Sequence, residues 1–158
     1  MAGDLRAKER ASLVTLSSSQ AALSNGSAQA MGVDLDVRAA GNAADDLQGR
    51  FELVCQWATI TGIIAGTTVA EVYLVPKLDG TNLPDLDLTA GASRLPAGTL
   101  ACVIEAAKAP TANTNMRFVT QVIDLFPALY TVHLKNQSGQ QMASGLSFKY
   151  AGAQGQYT

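Results

Sequence analysis

Residues 51–58, FELVCQWA, carry the clearest structural signal in the chain. Every second position in this stretch holds an apolar side chain or a thiol, namely Phe51, Leu53, Cys55 and Trp57. Successive side chains of a β-strand point to opposite faces, so a period of two predicts a strand with one face in a core. Glu52 falls on the other face, where we expect it to meet solvent.

The same period of two recurs along the chain after residue 32. It appears in residues 33–37, 67–75, 100–104, 130–135 and 142–150, and residues 116–125 are strand-like with apolar side chains on both faces. Glycine, proline and asparagine separate these segments, and no long stretch has the period of a helix. Seven or eight such strands predict an all-β fold, an antiparallel β-sandwich for which a jelly roll is one arrangement.

The end of the chain predicts a pair of neighbouring strands. Residues 130–135 and 142–150 flank a connection, Asn136 to Gln140, that contains the glycine typical of a short bulged loop. We therefore expect a hairpin-like pair. The last eight residues, AGAQGQYT, are small and polar, and we expect them to trail off from the sheet.

The first thirty-two residues differ from the rest. After Arg10 they are rich in serine, alanine and glycine and have no clear period. The Ser17–Ser19 run and the turn signal Asn25-Gly26 would end any short helix that begins after Asp4. The sequence thus predicts an extended N-terminal arm, residues 1–32, followed by a β-sandwich domain, residues 33–158.

The composition restricts the function classes. Of 158 residues, 47% are apolar and only 15% are charged, with a formal net charge of −2. This charge favours neither a nucleic acid nor an anionic membrane as a partner. The opening MAGDLRAKER lacks the apolar segment of a secretory signal, so we expect synthesis and retention in a cytosol, with Cys55 and Cys102 as reduced thiols.

An acidic stretch, LDGTNLPDLD, follows the strand that ends at Pro76. Its carboxylates are Asp79, Asp85 and Asp87, which are the candidates for a calcium site because calcium prefers oxygen ligands. Asp79-Gly80 is first of all a turn signal, however, and aspartates in turns bond their own backbone. We therefore interpret the stretch as a turn and predict no metal site.

The remaining side chains do not predict an enzyme. The chain has a single histidine, His133, which we expect to be an exposed strand residue, and it lacks the G-x-S-x-G and C-x-x-C motifs. A glycosidase would need a pair of carboxylates with different environments, and no such pair can be chosen from the sequence. We predict no catalytic residues and no cofactor.

Three segments together resemble a known group of proteins. They are YLVPKLDGTNLPD (73–85), PAGTLACVIEA (96–106) and TVHLKNQSGQQMASGLSFKY (131–150). In this combination the chain resembles small virion proteins of tailed bacteriophages over about residues 50–150, and it is similar to capsid decoration, or cement, proteins. It departs from that pattern at Leu83, where an aromatic residue is more usual.

The resemblance implies a structural role without catalysis. Such a protein would bind the outside of a phage capsid, stabilise it by bridging neighbouring capsomers, and be assembled in the host cytoplasm. Its partners would be the major capsid protein and copies of itself, contacted through the arm. The apolar contacts would be Leu5, Leu13, Val14 and Leu16, and the cations that pair with coat-protein carboxylates would be Arg6, Lys8 and Arg10.

Two other functions remain open at this point. One is a different virion role, such as a tail or head-fibre adaptor or a receptor-binding component. The other is a β-sandwich module that binds a carbohydrate or calcium. Adsorption that depends on a saccharide would favour the first, and a chelator-sensitive melting temperature would favour the second.

Overall fold

The computed structural model describes residues 5–9, 13–38, 41–77 and 100–157, with the side chains described for 13–38, 41–77 and 100–153. These residues form eleven strands. In chain order they are β1 (Leu5–Glu9), β2 (Val14–Gln20), β3 (Ala28–Ala30), β4 (Leu35–Asp36), β5 (Asp46–Cys55), β6 (Thr68–Pro76), β7 (Leu100–Glu105), β8 (Met116–Val119), β9 (Ile123–Asp124), β10 (Leu129–Asn136) and β11 (Leu146–Tyr157).

The strands form two antiparallel sheets packed as a sandwich, which confirms the predicted fold class. The first sheet has the order β1-β11-β5-β8, with β2 also on β11 and β9 also on β5. The second sheet has the order β3-β10-β6-β7, with β4 also on β10. The jelly-roll arrangement stays a prediction.

One apolar core fills the space between the sheets. The stretch 51–58 supplies Phe51, Leu53 and Trp57, all fully buried. The rings of Phe51 and Phe148 stack with centroids 5.2 Å apart, and Trp57 meets Phe118 edge to face at 6.0 Å. The second sheet faces them with further fully buried side chains, among them Val72, Val132 and Leu134. Burial of each large apolar side chain contributes about 1.5–3 kcal/mol to folding, so the alternation of residues 51–58 provides part of the stability of this core.

The predicted hairpin of the last two strands is wrong. Strand β10 lies in the second sheet and β11 in the first, so residues 137–145 cross from one sheet to the other. The reason is a buried polar network in the crossing. Trp57 Nε1 donates to Ser138 Oγ at 2.9 Å, and Asn136 Nδ2 donates to the carbonyl oxygens of Leu23 and Gln140 at 2.8 and 2.7 Å. These bonds satisfy polar groups that burial would otherwise leave unpaired, which fixes the crossing in place.

The prediction for the last residues is also wrong. Residues 151–157 continue β11, which runs for 12 residues in all. They do not trail off because β1 pairs with them, from Leu5↔Tyr157 to Glu9↔Ala153. Main-chain pairing supplies the order that the small, polar side chains of this tail do not predict.

The predicted boundary at residue 32 does not separate two parts of the structure. Strand β2 pairs with β11, and β3 pairs with β10. Leu16, Leu23 and Met31 lie in the core with exposures of 0%, 3% and 3%. The described residues between 13 and 32 therefore belong to the sandwich, because their few apolar side chains are buried in it.

Candidate functional site

The predicted contact residues of the N-terminal segment have different surroundings. Leu5, Arg6 and Lys8 lie on β1, whereas Arg10 lies outside the described residues. Leu13 is 46% exposed and thus available to another molecule, and Val14 is partly buried against the core. The role of these residues in contacts between chains stays a prediction.

The predicted surroundings of Leu16 are wrong. It was predicted to be an apolar anchor toward another chain, but its side chain is fully buried in the core of its own sandwich. The alternation of side chains along β2 explains this burial. Val14 and Leu16 are two residues apart, so both face the core, whereas Thr15 between them is exposed. Leu16 therefore anchors β2 to its own body.

Strands β1 and β11 form an extension of the first sheet. Strand β11 pairs with β5 only as far as Gln154↔Asp46, while its pairing with β1 continues through Gly155↔Ala7 and Gln156↔Arg6 to Tyr157↔Leu5. We call residues 5–9 and 153–157 the terminal ribbon. Beyond Gln154, the ribbon consists of β1 and β11 alone among the described residues. A two-stranded β-structure by itself is marginally stable in water.

The three aspartates of the acidic stretch, Asp79, Asp85 and Asp87, lie outside the described residues. Among the residues with described side chains, no group of three or more histidine, cysteine, aspartate or glutamate side chains could hold a metal ion. The choice between turn and calcium site at residues 79–87 stays a prediction.

The single histidine is buried, which differs from the prediction. His133 was predicted to be exposed, but it is 7% exposed, and its Nε2 has no hydrogen-bond partner within the described residues. It alternates with the core residues Val132 and Leu134, so it lies on the outer face of the second sheet between Tyr73 and Ala30 of the flanking strands. Burial lowers the pKa of its imidazole, which keeps the ring neutral near pH 7.

A cluster around Glu71 lies beside this histidine. Tyr73 Oη and Gln137 Nε2 donate to Glu71 Oε2 at 2.7 and 3.0 Å, and Lys135 Nζ lies 3.6 Å from the same oxygen. Burial opposes ionisation of Glu71, but these donors outweigh it and lower its pKa. Burial, together with Glu71, raises the pKa of Tyr73 to about 12. The ion pair of Glu71 with Lys135 connects β6 and β10. Neither the ionised acid of Glu71 nor the neutral phenol of Tyr73 is set up to transfer a proton near pH 7.

Both cysteines are free thiols. Burial raises the pKa of Cys55 to about 12. Burial also raises the pKa of Cys102 to about 11, against the effect of a hydrogen bond with Thr120. Because the thiolate is the reactive form, both side chains are poor nucleophiles at neutral pH.

Several exposed apolar side chains were not predicted from the sequence. Val119, Val122 and Phe126 are 51%, 59% and 77% exposed. A signal was present, since residues 116–125 have apolar side chains on both faces of the predicted strand, and one face of an outer strand meets solvent.

None of the described segments is a helix long and apolar enough to cross a membrane.

Comparison of the chain with protein-family models, with curated proteins and with solved structures found no match.

Proposed function

We propose that the protein is a non-enzymatic structural component of a phage virion, which decorates the capsid and stabilises it by bridging neighbouring capsomers. Its partners are the major capsid protein and copies of itself, and it is located on the capsid surface. The resemblance of residues 73–85, 96–106 and 131–150 to decoration proteins supports this function.

The observation that carries the proposal is the terminal ribbon. Its outer part extends past the start of β5, so its main-chain groups lie at the margin of the sheet. A margin of this kind binds another chain by strand addition, in which main-chain hydrogen bonds provide affinity. Many such contacts on a symmetric shell give strong retention even when each one is weak.

The composition agrees with this role. Only 15% of the residues are charged, so mutual repulsion contributes little to keeping copies apart in solution. A protein that is covered by neighbours in an assembly depends less on such repulsion. The half-exposed Leu13, which precedes β2, provides an apolar contact close to the ribbon in sequence.

Electron microscopy of phage particles with and without the protein tests the proposal. We expect the protein to purify with particles and to account for density distributed over the shell. Density at a single vertex or at the tail would instead assign the protein to an adaptor or receptor-binding role. Absence of the protein from purified particles would reject a virion function altogether.

A further inference from the structure

A groove opens between the two sheets on the side away from β1. One wall is residues 101–105 of β7, from the second sheet, and the other is residues 119–123, which join β8 to β9 in the first sheet. Its volume is about 560 Å³. We call these two segments and the space between them the edge groove.

Both walls of the edge groove lie at the outer edges of their sheets. Within the described residues, β7 pairs only with β6, and β8 and β9 pair only with β5. Each wall therefore has one edge with no neighbouring strand in that part of the chain. Three apolar side chains line the groove beside these edges, Val103, Val119 and Val122, with exposures of 40%, 51% and 59%.

The residues of the walls do not protect these edges. Natural proteins usually block an outer strand with lysine, proline or an inward-facing charge, since an open apolar edge pairs with other chains. The walls, ACVIE and VTQVI, contain neither lysine, arginine nor proline, and Glu105 is their one charged residue. Such a groove fits an extended peptide. The main chain of the peptide can hydrogen-bond with the main-chain donors and acceptors of the walls, and its side chains can pack against the valines.

Strand β1 of another copy has the properties that this groove requires. It lies at the opposite margin of the same first sheet, and within the described residues it pairs only with β11. It has 5 residues, which matches the length of each wall. Its sequence, LRAKE, has two cations, Arg6 and Lys8, and one anion, so its net positive charge complements Glu105 of the groove.

We propose that the edge groove binds strand β1 of a second copy, so that each copy provides one strand and accepts one. This inference rests on the self-association that belongs to the proposed function, and it names the two surfaces that meet. Because the surfaces differ and lie on opposite margins, the copies join head to tail, and such contacts close into a ring or continue as a chain.

Analytical ultracentrifugation of the full chain over a range of concentrations tests this inference. Val119→Lys places a charge at the open edge of one wall, and Val103→Lys does so at the other. We expect each substitution to weaken self-association at least tenfold, because lysine at an edge opposes strand addition. The matched control is Ile64→Lys, since Ile64 is 65% exposed in a turn outside both sheets, and we expect association as in the wild type.

Amide hydrogen exchange on the same samples identifies the surfaces. On association we expect slower exchange at residues 5–9, 101–105 and 119–123 together, with circular dichroism confirming that every variant is folded. A wild type that stays monomeric, or groove variants that associate like the wild type, would overturn the inference. Slower exchange in the groove only when the protein binds particles would also overturn the inference, because it would show that the coat protein, and not β1 of a second copy, binds there. If the wild type binds particles in those cases, the proposed function stands although this inference fails.

Discussion

His133 illustrates how the surroundings change the chemistry of one residue. The titratable groups that face it are Tyr73 and Glu71 on β6 and Lys135 on β10, whereas its neighbour on β3 is Ala30. The carboxylate of Asp34 already has two other partners. Lys77 Nζ donates to its Oδ2, and Thr131 Oγ1 donates to its Oδ1 at 2.9 Å. No carboxylate within the described residues bonds to its Nε2, so a charged imidazole would be buried without a partner.

The burial of His133 predicts a loss of stability at mildly acidic pH. Its pKa in the folded state is lowered from the ordinary value of 6.5. The unfolded chain therefore takes up the proton first as the pH falls through about 6.5, and the free energy of unfolding decreases below that point by at most about 1.4 kcal/mol per pH unit.

Urea unfolding at several values between pH 7.5 and pH 5 measures this effect. We expect His133→Leu to flatten the decrease, because the chain has no other histidine. The lowered pKa values of Asp36 and Glu71 act at more acidic pH, below their ordinary values near 4, and so lie outside this window. A slope that is the same in both proteins would show that His133 is not the group responsible.

At the scale of elements, a pair of glycines sets the packing of β5 against β11. Gly49 and Gly152 lie opposite each other in the register of the two strands. A side chain at Gly49 would overlap the ring of Tyr150, and one at Gly152 would overlap the carboxylate of Asp46. The space left by the two glycines is thus filled by Tyr150 and Asp46, which are 0% and 1% exposed.

Substitution of these glycines should destabilise the sheet. We expect Gly49→Ala and Gly152→Ala each to lower the free energy of unfolding by about 1–3 kcal/mol, because a methyl group added to a filled core forces its neighbours to shift. The matched control is Gly32→Ala, where the added methyl group would lie 3.8 Å from the carbonyl oxygen of Leu16, an ordinary contact. Denaturant unfolding monitored by Trp57 fluorescence provides the measurement, and equal stability of all four proteins would refute the packing argument.

At the scale of the whole molecule, the N-terminal segment has two distinct parts. Residues 5–9 form one strand of the terminal ribbon, whereas residues 14–31 contribute β2, β3 and the buried side chains of Leu16, Leu23 and Met31. Loss of three large core side chains costs about 2–5 kcal/mol each, which approaches or exceeds the whole stability of a typical domain.

Two truncations separate these parts. We expect removal of residues 1–12 to leave a cooperatively folded protein that binds phage particles less strongly, because the ribbon is lost and the core is kept. Removal of residues 1–32 should abolish cooperative unfolding, since β2 and part of the core are lost. Calorimetry and co-sedimentation with particles measure the two outcomes. Full particle binding by the shorter truncation would contradict the role of the ribbon.

The positions of most strands and the fold class follow from local patterns in the amino-acid sequence. Alternation such as that of residues 51–58 is local, because the side chains of a strand alternate between faces whatever the strand pairs with. Of the candidate contacts, Leu5, Arg6 and Lys8 were predicted from the sequence and lie on the terminal ribbon.

Strand pairing and burial, in contrast, depend on contacts between distant parts of the chain. Strands β10 and β11 follow each other in sequence yet lie in different sheets, and β1 pairs with the far end of the chain. The burial of Leu16 and His133 depends on those distant partners. The edge groove has the same origin, since its walls are 14 or more residues apart in the chain and meet only where the two sheets do. Pairing is settled by the free energy of the whole core, and no short window of sequence contains that information.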